Sequence, residues 1–125
     1  MIGRLQCVVL DCPEPLSLAG FYRELVGGEV NRADPRWSLH DDWATLHLDD
    51  GRVLAFQRVE SHRPPRWPDP EAPQQFHLDV GVADLARACD AAVALGATVL
   101  DEGGPSRGWT VCADPAGHPF CLVRE

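Results

Sequence analysis

Five cysteines, five histidines and four tryptophans hold most of the side chains in this sequence that could bind or transform another molecule. Sulfur and imidazole together suit Zn²⁺, and a thiol beside an imidazole suits nucleophilic catalysis. The cysteines are Cys7, Cys12, Cys89, Cys112 and Cys121. Their number is odd, no CxxC pair occurs and no secretory leader is visible, so reduced thiols in a cytoplasm are expected. Cys12 and Cys89 fall at helix-associated positions and read as packing residues. His40, His47, His62 and His118 show no ligand-like spacing with one another. His62 in a linker and His118 in a turn are expected to be solvated, while His47 on a strand suits core or cleft. Asp41-Asp42 and Asp49-Asp50 could form acid/base dyads, but each pair sits at a turn, where aspartate bonds its own backbone. Trp43 and Trp109 are expected in the core. Trp37 and Trp67 lie near loops and could line a pocket for a flat or apolar molecule.

Composition narrows the partners. The net charge of −8 argues against nucleic acid, which needs a basic face. Arg63-Pro64-Pro65-Arg66 is too short to change that, and Gly103-Gly104-Pro105 lacks the lysine of a phosphate loop. No run approaches the roughly 20 apolar residues that span a bilayer. The 45% hydrophobic and 24% charged content is that of a globular protein.

The elements that must position these residues occur twice. Strand 4–11 leads to a helix over 15–26, with Leu18, Phe21, Tyr22 and Leu25 on one face. Gly27-Gly28 stops that helix, and strands are expected near 28–32, 36–40, 43–49 and 52–59. Residues 61–73 are rich in proline and read as a linker. Strand 74–81 then leads to a helix over 84–95 with Asp84 as N-cap, followed by strands near 97–101, 107–113 and 118–124. Trp43 and Gly51 return as Trp109 and Gly117, an offset of about 66 residues, as in a duplicated unit. The expected organisation is α+β, one structural domain made of a first module (1–60), the linker (61–73) and a second module (74–125).

That order of elements, twice, resembles the vicinal oxygen chelate superfamily, which includes glyoxalase I, bleomycin-resistance proteins and extradiol dioxygenases. The residues that carry the resemblance are Glu14-Pro15, Phe21-Tyr22 and Gly27, then His77-Leu78-Asp79-Val80, Asp84-Leu85, Ala94-Leu95-Gly96-Ala97 and Asp114-Pro115-Ala116-Gly117-His118-Pro119-Phe120. The chain is most similar to the small bacterial glyoxalase-like branch. The resemblance implies two tandem βαβββ modules forming a curved mixed sheet around a cleft. It implies metal ligands on the first and last strands of each module. Carried over, those positions are Cys7, Ala55, His77 and Cys121, with Gln57 on the same strand face as Ala55. Two positions are usually glutamate, and here neither is.

Two functional readings follow, and an inert structural domain is a third. The favoured one is a metal-free binding module that takes a small organic molecule into a cleft lined by Cys7, Ala55, Gln57, His77, Cys121, Trp37 and Trp67. A cysteine on a strand is more often a packing residue than a ligand. The alternative is a metal-dependent lyase, isomerase or dioxygenase acting on a substrate with vicinal oxygens. There Cys7, His77 and Cys121 would hold Zn, Ni, Fe or Mn. A homodimer is expected, with no nucleic acid or membrane partner.

Overall fold

The apolar run that begins at Cys7 forms strand β1 (Val8–Cys12), and Pro15 then opens helix α1 (Pro15–Val26) in a computed structural model of the chain. Proline suits this first turn because its missing N–H would have had no partner there. α1 has no side-chain cap at Glu14, and it buries Pro15, Leu18, Ala19, Phe21 and Tyr22. It ends where the Gly27 N–H reaches the Arg23 carbonyl at 2.8 Å. Strands β2 (Glu29–Val30), β3 (Trp43–His47) and β4 (Val53–Arg58) complete the first unit. The structure describes residues 1–37, 40–104 and 106–125. They divide into units of residues 1–62 and 63–125, so the proline-rich residues 63–73 lie within the second.

In the first unit the sheet order is β1-β4-β3-β2, with β1 parallel to β4 and the other pairs antiparallel. Strand alternation divides its residues between two faces. Leu54 and Phe56 face α1, with Tyr22 stacked on Phe56 at 5.7 Å. Tyr22 and Phe56 are almost fully buried. Burial of each contributes about 2–3 kcal/mol. Val53, Ala55 and Gln57 therefore take the other face, opposite His47, Thr45 and Trp43 respectively.

The second unit repeats the plan with β5 (Leu78–Val82), α2 (Leu85–Ala94), β6 (Thr98–Asp101), β7 (Trp109–Ala113) and β8 (Pro119–Arg124). Its order is β5-β8-β7-β6, again with the first strand parallel to the last. Asp84 caps α2 by accepting from the Arg87 N–H at 3.0 Å. Cys89 of α2 is hydrogen-bonded to Cys112 of β7. Cys112 and its register partner Phe120 therefore face the helix, and alternation turns Cys121 and Val111 to the opposite face. The two βαβββ modules and the α+β class agree with the sequence reading. No helix among the described residues is long and apolar enough to cross a membrane.

Several details differ from the sequence reading. β1 starts at Val8, and Leu5, expected in a buried strand, is 83% exposed. β5 starts at Leu78 where a strand from 74 was expected. In the expected strand 36–40, residues 35–37 form a turn closed by the Trp37 N–H on the Asp34 carbonyl at 3.0 Å, and residues 38–39 lie outside the described ones. Trp109, expected in the core, is 45% exposed beneath the Arg107 guanidinium. His62 and His118, expected to be solvated, are half-buried, and the His118 N–H donates to Asp114 Oδ1.

Candidate functional site

Parallel pairing of β5 with β8 puts Asp79 directly opposite Cys121. His77, two residues before Asp79, shares its face. One ligand atom from each of His77, Asp79 and Cys121 lies within 4.8 Å of the others. His77 Nε2 is 3.3 Å from Asp79 Oδ1. Their side chains are 42% and 62% exposed, so as an ion pair they would stabilise the fold by only about 0–1 kcal/mol. Packing and stability give little reason for this grouping.

The donor set fits a divalent ion of the zinc type. Imidazole nitrogen, carboxylate oxygen and cysteine sulfur are all zinc donors, and three protein ligands leave one position open. Zinc bonds of about 2.0–2.2 Å to nitrogen and oxygen give a tetrahedral N–O edge of about 3.4 Å, close to the His77–Asp79 separation. The mixture with sulfur disfavours magnesium and calcium, which prefer oxygen alone.

Electrostatics argues against a nucleophilic thiol at this site. Burial raises the Cys121 thiol pKa, and the Asp79 carboxylate, which accepts its hydrogen bond, raises it further. Burial also raises the Cys7 thiol. An activated thiolate needs the opposite shift.

The other expected site residues are distributed as follows. Cys7 is half-buried just before β1 in the first unit. Ala55 is fully buried between Val9 and Thr45. Gln57 is exposed on the same face of β4. Trp37 stacks on Trp43 with ring centroids 6.5 Å apart and meets His47 edge-on at 6.2 Å. His47 is 4% exposed, its Nε2 lies 3.2 Å from Thr45 Oγ1, and burial lowers its pKa. Trp67 lines a groove of about 450 Å³ in the second unit with Pro64, Leu100 and Pro115. The cluster thus joins His77 and Cys121, and its third member, Asp79, was not among the site residues expected from sequence. The spacing His-x-Asp on a strand paired in parallel with the last strand is the signal that finds it.

This fold and site define a class. The glyoxalase-like domain model matches residues 7–123, and the chain belongs to that family, within the vicinal oxygen chelate superfamily. No curated protein matches the sequence. Among solved structures, a glyoxalase/bleomycin resistance protein/dioxygenase family enzyme from Burkholderia phytofirmans is 15% identical over 98% of both chains, with a TM-score of 0.72. A hypothetical protein from S. aureus is 19% identical over 100% of this chain and 99% of that one, with a TM-score of 0.69. A mutant of the fosfomycin resistance protein FosX from Listeria monocytogenes, complexed with Mn(II) and 1S,2S-dihydroxypropylphosphonic acid, is 17% identical over 98% and 93% of the two chains, with a TM-score of 0.69. At these identities the likeness is one of fold.

Proposed function

We propose that the chain is a metal-binding member of its family that holds a small organic molecule at His77, Asp79 and Cys121. The observation that carries this reading is the convergence of three different ligand atoms within 4.8 Å on one exposed sheet face. FosX, which shares the fold and was crystallised with Mn(II), supports a divalent ion in such a scaffold. When bound, the ion supplies Lewis acidity to an oxygen of the molecule at its open position. His77 offers a ring nitrogen, Asp79 a carboxylate oxygen 3.3 Å from Nε2, and Cys121 its sulfur, so all three residues would turn to the ion. Cys121 gives up its proton on ligation, so affinity for the ion rises with pH. Cys121 is half-buried and the Asp79 carboxylate is exposed, so a small molecule could reach an ion held by these residues.

The test is metal analysis of protein purified without chelator, followed by calorimetric zinc titration of the wild type, His77→Ala and Cys121→Ser. One zinc per chain in the wild type, weakened at least tenfold in each variant, is expected. Zinc, iron, nickel and manganese all far below stoichiometry, with no titratable site, would remove the proposal.

A second reading has its own observation. Trp37, Trp43 and His47 form an aromatic group in the first unit, and the buried Trp37 Nε1 has no hydrogen-bond partner among the described residues. Metal-free binding of a flat molecule carrying an acceptor would satisfy that donor. Quenching of tryptophan fluorescence by such a molecule, abolished in Trp37→Phe, tests it.

A further inference from the structure

Gly81 is the residue that makes room. It follows Asp79 by two, so it lies on the face of His77 and Asp79. A Cβ built on it would overlap the Glu125 carboxylate. Glu125 reaches that notch because it follows directly on β8. The Glu125 N–H donates to the Val82 carbonyl at 3.0 Å, after Arg124 has paired with Val82. Alternation along 121, 123 and 125 independently places Glu125 on the face of Cys121. The row along β5 is therefore imidazole, carboxylate, and then a second carboxylate in the space of an absent side chain. Each step of two residues is about 7 Å.

The charges make this second carboxylate different from the first. With a divalent ion bound, the Asp79 carboxylate and the Cys121 thiolate together neutralise it. Arg107, whose charge also reaches Cys121, is matched by Asp101 at 3.0 Å. Among the described residues no arginine or histidine forms an ion pair with Glu125. The Glu125 side-chain carboxylate is then left uncompensated, about a strand step from the ion. We infer that Glu125, seated in the Gly81 notch, selects a ligand that presents oxygen to the ion at one end and a cationic group about 7 Å away. This rests on the metal reading of the site and adds the chemical class of the ligand.

The experiment compares two probes on the zinc-loaded protein, without oxygen: 4-ethylcatechol and 4-(2-aminoethyl)catechol, which differ by one ammonium group. Calorimetry on the wild type is expected to show about three- to fivefold tighter binding of the ammonium probe, the range of a solvent-accessible ion pair. Glu125→Gln and Gly81→Ala should both bring the ratio to about one while leaving zinc affinity and 4-ethylcatechol binding within twofold. Gly81 has an ordinary negative φ, so the alanine acts through the occupied notch and not through backbone strain. An equal ratio in the wild type, an unchanged preference in Glu125→Gln, or zinc uptake with neither probe bound would overturn the assignment. Failure to take up zinc would instead overturn the metal reading beneath it.

Discussion

Replacing Gly28 by alanine should damage the first unit far more than replacing its neighbour Gly27. Both glycines have positive φ, 79° and 97° in chain order. An L side chain there costs about 1–2 kcal/mol from backbone conformation alone. At Gly27 a Cβ would meet nothing within 4 Å, so conformational strain is the whole penalty. At Gly28 a Cβ would lie 2.5 Å from the His47 carbonyl oxygen and 3.2 Å from its carbon. Those atoms belong to the backbone of β3 and cannot rotate away. Relief requires β2 to draw back from β3, and β2 is only two residues long, paired through Glu29–His47 and Val30–Leu46. Losing one or two of those hydrogen bonds adds about 1–2 kcal/mol. The total for Gly28→Ala is therefore about 3 kcal/mol. With a urea slope of about 2 kcal/mol per molar, the unfolding midpoint should fall by about 1.5 M, against about half that for Gly27→Ala. Urea titration followed by tryptophan fluorescence reads both, since Trp37 and Trp43 lie in this unit. A Gly28→Ala midpoint no lower than that of Gly27→Ala would refute the close approach of β2 to β3.

Three further outcomes are expected. Burial, helped by the Arg32 charge, lowers the His47 pKa below its ordinary value of 6.5, so the folded chain binds this proton less readily than the unfolded one. Its contribution is complete above about pH 6.5 and fades as the pH falls through the lowered value, so chemical denaturation between pH 7.5 and 5 should show a decline that His47→Gln flattens. Asp84→Ala removes the cap of α2 and should cost about 1 kcal/mol by the same titration, whereas Glu14→Ala, which loses no capping bond, should cost less than half of that. Burial pushes the fully buried Cys112 thiol up to about 12, so maleimide at pH 7.5 should label the half-buried Cys7 in the native state and reach Cys112 only after unfolding, with peptide mass spectrometry reading the order.

Local signals carried much of the fold. Pro15 and Gly27 bracket α1 because one lacks a donor and the other tolerates positive φ, and both constraints act within a few residues. Asp84 marks α2 for the same reason, and Asp49-Asp50-Gly51 marks the β3–β4 turn. Long-range pairing left weaker traces. Nothing local in Leu78–Val82 says that this strand lies beside 119–124, yet that register alone puts Asp79 opposite Cys121. Trp109 was misplaced because the repeat gives its position along a strand but not what covers it, and Arg107 lies over its exposed ring. The association of Trp37 with Trp43 and His47 is a set of tertiary contacts that periodicity does not encode.

Ala55 occupies in the first unit the place that Cys121 holds in the second. It is wholly enclosed, with Thr45 opposite it equally inaccessible. A mutation that introduced a sulfur or carboxylate there would have to force atoms into filled space before it gained any reactivity. The two equivalent positions thus differ in what a substitution costs: at 55 it must displace packed atoms, whereas at 121 it meets a half-buried site.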